Sequence, residues 1–99
     1  MFARVTRWEG GETETMRESV AEIGQRASSG PPEGVPSNGF LLLVDPAGGR
    51  TLAIALFPDE ASLREGDATL NEMSPPGDGL GQRAAVERYE VAVDIRLDR

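Results

Sequence analysis

The sequence predicts an α+β domain with the element order β-α-β-β-α-β, and three stretches carry that expectation. Gly39-Phe40-Leu41-Leu42-Leu43-Val44 turns at Asp45-Pro46-Ala47-Gly48-Gly49-Arg50 and returns as Thr51-Leu52-Ala53-Ile54-Ala55-Leu56-Phe57, a hairpin that is apolar at both parities. Met16, Val20, Ile23 and Ala27 recur at helical spacing and make one apolar stripe. Near the end, Tyr89, Val91, Val93, Ile95 and Leu97 alternate with Arg88, Glu90, Asp94 and Arg96, the period-two pattern of a strand with one dry face.

The first strand is expected over Phe2–Trp8, because Glu9-Gly10-Gly11 breaks its pattern. A helix over Thr15–Ala27 follows, opened by a capping box in which the Thr15 hydroxyl accepts a free amide and Glu18 reaches back. Ser28–Ser37, with three prolines and two glycines, is a connector. An antiparallel sheet usually wets one face, so a hairpin apolar on both sides calls for two covers: the helices on one side and a second copy on the other. Asp59 is the expected N-cap of the second helix, whose buried stripe is Leu63, Gly66, Leu70 and Met73, with Gly66 permitting close approach to the sheet. The acids Asp59, Glu60, Glu65, Asp67 and Glu72 fall on its wet face. Ser74–Gly81 reads as a flexible loop, and its glycines do not make a phosphate loop because no strand precedes them. The last strand is expected over Ala85–Leu97. Together these elements make the ferredoxin-like split βαβ plan, one domain over residues 1–99 with a four-stranded antiparallel sheet and both helices on one face.

Composition narrows the function. A 99-residue domain removes only about two-thirds of its unfolded surface from water, so dimerisation would add stability. The net charge of −7, from 17 acids against 10 basic residues, argues against nucleic acid and against an anionic membrane, since both need a cationic footprint. No apolar segment approaches the ~20 residues that span a bilayer, and a cytoplasmic location is expected. The chain has no Cys, His or Lys, and every basic residue is Arg. That excludes thiolate nucleophiles, Cys/His zinc sites, imidazole catalysis, Schiff-base lysines, the P-loop lysine, and haem held by a protein His or Cys. No metal or cofactor is expected, and any chemistry runs on carboxylates, hydroxyls, amides, Tyr89, Trp8 or Arg.

Ala3-Arg4-Val5-Thr6, Gly39–Asp45, Leu52–Phe57, Asp59-Glu60-Ala61-Ser62-Leu63-Arg64 and Tyr89-Glu90-Val91 together give the chain a pattern that resembles the antibiotic biosynthesis monooxygenase superfamily, the dimeric α/β-barrel group. The resemblance spans nearly the whole length and lies mostly in packing residues. It implies two ferredoxin-like subunits with facing sheets, and a small-molecule cavity in each subunit between sheet and helices. It also implies activities of the kind found there: cofactor-free oxygenation of polycyclic phenols, or haem degradation. The second is not expected, since the haem-degrading members carry a ligating His and an Asn on the first strand, where this chain has Arg4, Thr6 and Trp8. The oxygenases use Asn, Trp, Tyr and Arg together, for which this chain offers Asn71, Trp8, Tyr89 and Arg88.

Each candidate has a structural alternative. Asn71 and Arg88 would steady negative charge on a substrate anion and Tyr89 would relay a proton. Equally, Asn71 could satisfy a local backbone group and Tyr89 could pack among the apolar residues of its parity, its hydroxyl finding a partner at the edge. Trp8 could stack on an aromatic ligand or close the rim of the core. Arg4 and Thr6 share a face of the first strand. A charge there needs a partner, and a salt bridge across the dimer interface, an anionic ligand and simple exposure are the choices. Two functions follow: a cofactor-independent monooxygenase or binder of small aromatic metabolites, or a non-catalytic dimeric module whose pocket its own side chains fill. The space beneath the helices discriminates between them.

Overall fold

The computed structural model describes residues 1–73 and 79–98. The elements are β1 (Phe2–Gly10), α1 (Thr13–Ser28), β2 (Gly39–Asp45), β3 (Arg50–Phe57), α2 (Glu60–Asn71) and β4 (Gly81–Glu90). The strands form one antiparallel sheet in the order β2-β3-β1-β4, which leaves β2 and β4 at its edges and is compatible with the ferredoxin-like plan. Its register sets Arg4 between Ala55 and Arg88, and Thr6 between Ala53 and Val86.

Both helices lie on the face that carries the even-numbered residues of β1. Arg4 meets Asp67 of α2, and Trp8 packs with Met16 of α1. Two apolar clusters fill this side, one of Val35, Ala55, Phe57 and Leu63 under α2, the other of Trp8, Met16 and Leu80 under α1. Gly66 makes the expected close approach, since a Cβ there would stand 2.5 Å from Cε1 of Phe57. Asp59 caps α2 as expected, its Oδ1 accepting the Ser62 amide at 2.7 Å. The same bond holds the Asp59 carboxyl below the usual carboxylate range.

Several expectations are corrected. Helix α1 begins at Thr13, so the residue in the extended capping position is Glu12, which makes no side-chain cap. Thr15, inside the first turn, donates its hydroxyl to the Glu12 carbonyl at 3.2 Å, and the capping box does not form. In the α1 stripe Ala27 is exposed, while Ser19 is buried with Met16. Met73 lies beyond α2 and is exposed, so the α2 stripe ends at Leu70. Val35 and Leu80, read as loop residues, are core. Part of the loop expected over Ser74–Gly81, residues 74–78, lies outside the described residues.

The largest correction concerns β4, which starts at Gly81 and ends at Glu90. Its last ladder pair is Phe2 with Glu90, followed by one bond from the Val91 amide to the Met1 carbonyl at 2.9 Å. Alternation continues to Leu97, but alternation describes side chains, whereas a strand also needs a neighbouring backbone, and residues 92–98 have none. The face expected to be dry is wet in the single chain, with Tyr89, Val93, Ile95 and Leu97 all exposed. On the same side of the sheet Leu41 and Leu43 are 51% and 47% exposed.

Candidate functional site

The side chains singled out by sequence meet mainly at one place, around Arg4. Strand β1 carries Arg4 under α2, where it is 5% exposed. Its Nε donates to Oδ1 of Asp67 at 2.8 Å, Nη1 to the Thr6 hydroxyl at 2.8 Å, and Nη2 to Oδ1 of Asn71 at 2.9 Å. Asp67 and Asn71 stand one turn apart on α2 and so present two acceptors side by side. From the edge strand, Arg88 donates its Nη2 to the other oxygen of Asp67 at 2.7 Å. A single carboxylate thus joins two guanidinium groups from neighbouring strands to the helix above them.

This arrangement explains how a cation lies inside so small a core. Burial of an unpaired guanidinium is prohibitive, but charge-assisted bonds to a carboxylate and to neutral acceptors offset the lost hydration. Asp67 responds in kind. Its partial burial would raise its pKa, but the hydrogen bonds from Arg88 and Arg4, with the Coulombic attraction of both, outweigh that and hold the carboxyl below its ordinary value. A carboxylate tuned downward and accepting from two arginines is a poor general base. The network braces β1, β4 and α2 together.

Beside it, an open cleft of about 280 Å³ runs along the edge between α2 and β4, bordered by Phe2, Leu63, Arg64, Asp67, Arg88 and Tyr89. Of the charges that line it, Arg88 pairs with Asp67 and Arg64 with Glu60 at 2.6 Å, while Glu90 also borders it. Between the helices and the sheet, the described residues place Phe57, Leu63, Trp8, Met16 and Leu80 on either side of the Arg4 network.

The structure brings Arg4, Thr6, Asn71 and Arg88 together and sets Trp8 and Tyr89 apart. Arg4 finds its salt bridge within its own chain rather than across an interface, because its parity turns it toward α2. Asn71 accepts from Arg4 instead of making a local backbone bond with its side chain. Trp8 is buried with Met16 and Leu80, and the guanidinium of Arg83 lies 5.8 Å from its ring centroid. Arg83 also donates to the carbonyls of Asn71 and Met73, at 3.3 and 2.6 Å, which ties β4 to the end of α2. Tyr89 does not pack among apolar neighbours. It is half exposed, and its hydroxyl donates to Oε2 of Glu87 at 2.7 Å. That bond, more than burial or the charge of Glu87, raises the phenol pKa.

Asp67 is the residue that sequence reading missed, having been assigned to the wet face of α2. A signal existed. Leu63, Gly66, Asp67 and Leu70 follow the i, i+3, i+4, i+7 rule of a buried face, so Asp67 stands within the apolar stripe, where an acid needs a cation. Among the described residues no three His, Cys, Asp or Glu side chains are grouped to hold a metal ion, and no helix is long and apolar enough to cross a membrane. A scan of this chain against protein-family models and a search of curated proteins both return no match.

Proposed function

We propose that this chain is a self-associating, non-catalytic module of the dimeric α/β-barrel type, acting in the cytoplasm, in which two copies pair through the sheet faces that the helices leave open. The observation that carries the reading is the distribution of apolar groups. Leu41 and Leu43 are half exposed and adjoin Leu52, Ile54 and Leu56 on a face that no helix covers, while the helix-covered face seats Arg4, Thr6 and Thr51. Contiguous apolar surface of this kind marks an association site. A twofold axis lets the same patch serve both subunits. The interior beneath the helices favours a module over an enzyme, because apolar side chains and the Arg4–Asp67 ion pair with its neighbours occupy it.

Sedimentation equilibrium tests the reading. The chain is expected to be a dimer at micromolar concentration, and Leu41→Glu with Leu43→Glu to make it a folded monomer. A chain that stays monomeric at millimolar concentration refutes it.

A second reading, binding of a small aromatic metabolite or its cofactor-free oxygenation, has one observation in its favour: Arg88 and Asp67 border an open cleft that Phe2 and Tyr89 also line. Native mass spectrometry of the purified protein, with polycyclic phenols added, reads stoichiometry and retained ligand together. No adduct at millimolar phenol removes this second reading and leaves the first intact.

A further inference from the structure

We infer that the cleft between α2 and β4 is a site for a small organic cation, a primary amine carried on a single ring or a body of similar size. The inference rests on that cleft taking a ligand, as in the second reading above, but it assigns the ligand a charge opposite to that of a phenolate. Charge supplies the first step. Three carboxylates, Glu60, Asp67 and Glu90, border the cleft against two guanidinium groups, Arg64 and Arg88. Both cations are held by the chain itself, Arg64 donating to Oε1 of Glu60 at 2.6 Å and Arg88 to Oδ2 of Asp67 at 2.7 Å. The carboxylate of Glu90 makes no ion pair and no hydrogen bond among the described residues. The site therefore carries one uncompensated negative charge, on a chain whose net charge is −7. An anion would have to displace an acid from its arginine, whereas a cation meets Glu90 without breaking a bond. Among the described residues no three acids are grouped to hold a metal ion, so the donor set suits an ammonium instead.

The register supplies the second step. Phe2 and Glu90 form the last ladder pair of β1 and β4. Residues opposed in this way have Cβ atoms about 5 Å apart on one face of the sheet. Arg4 and Arg88, two residues along each strand, are likewise opposed and reach toward α2, so Phe2 and Glu90 share that side. An ammonium at Glu90 thus has the Phe2 side chain beside it, and a carboxylate next to an aromatic residue favours a cation twice over. Phe2 packs against the cluster that contains Leu63, and these two residues with Tyr89 give the cleft apolar surface for the body of the amine.

Size supplies the third. A volume of about 280 Å³ takes roughly nine non-hydrogen atoms at about 30 Å³ each. One ring with a two-carbon amine tail fills it, and a fused polycycle exceeds it.

Three probes of matched shape test the assignment on the full chain: 2-phenylethylamine, the neutral 2-phenylethanol and the anionic phenylacetate, each titrated while residue-resolved amide shifts are followed by NMR. The amine is expected to shift Phe2, Leu63, Asp67 and Glu90 with roughly millimolar affinity. The alcohol should bind about fivefold more weakly, as befits the loss of one exposed ion pair, and phenylacetate more weakly still. Added salt should weaken the amine and leave the alcohol unchanged. Glu90→Gln, at an exposed side chain, should bring the amine down to the affinity of the alcohol. If the alcohol or phenylacetate binds the parent chain as tightly as the amine, or Glu90→Gln leaves the amine unaffected, the cation assignment is refuted while ligand binding in the cleft stands. If no probe shifts these amides at ~10 mM, both fall and the dimer is untouched.

Discussion

The two faces of the sheet are both rich in apolar residues but differ in what covers them. The face under the helices holds Trp8 and Phe57 in the core and, between them, the nearly inaccessible Arg4 and Thr6. The open face holds Leu41, Leu43, Leu52, Ile54 and Leu56. Polarity alone therefore does not decide which side of a sheet is inside. A polar group can be buried where its partners are built in, as Asp67, Thr6 and Asn71 are for Arg4. A row of leucines can lie open in a single chain, as Leu41 and Leu43 do, each about half exposed.

The sharpest way to break this contrast is to damage the covered face. Phe57 is fully buried and packs against Leu63 and Val35, so Phe57→Ala should cost about 4 kcal/mol through lost transfer energy and the cavity left behind, read by urea unfolding. Asp67→Asn should cost about 3 kcal/mol, because it removes the counter-charge of a buried guanidinium. Combining Arg4→Met with Asp67→Leu should recover most of that loss, since a well-packed apolar pair can replace a buried ion pair. If the double variant is no better than Asp67→Asn alone, the network does more than satisfy its own charges.

Acid gives a milder version of the same test. The folded-state pKa of Asp67 is lowered, so its contribution is fully present above the unfolded carboxylate value of about 3.9 and is lost as pH falls through the lower folded value. Unfolding midpoints measured from pH 6 downward should fall less steeply in Asp67→Asn than in the parent chain. The open face should respond least. In dilute solution, Leu41→Ser and Leu43→Ser should each change the stability of the single chain by no more than about 0.5 kcal/mol. A loss of 2 kcal/mol or more there would mean that this face already packs within one chain.

Much of the fold was legible because it depends on local rules. The hairpin, the α2 cap at Asp59 and the close approach at Gly66 follow from turn residues, a short acceptor side chain and a missing Cβ, which neighbours in sequence reveal. The candidate site was legible by halves. Arg4 and Thr6 were singled out by the strand face they share, Asn71 and Arg88 by the chemistry of the family the chain resembles, and all four do meet around Asp67. Asp67, which joins them, was hidden among five acids of one helix, although its place in the stripe of Leu63, Gly66 and Leu70 sets it apart from the solvated ones. Trp8 and Tyr89 were chosen for their chemistry, but packing under α1 and a bond to Glu87 are what define their positions.

The amino-acid sequence by itself determined the element order, the absence of imidazole, thiol and ammonium chemistry, and the need for a partner wherever a charge fell among apolar residues, since these depend on composition and short-range spacing. Tertiary structure alone decided that Arg4 is satisfied within its own chain, that β4 stops at Glu90, and which face stays open. Each of those outcomes depends on where a distant backbone lies. A strand ends when its neighbour ends, and a buried cation is paired by whichever helix the register brings above it.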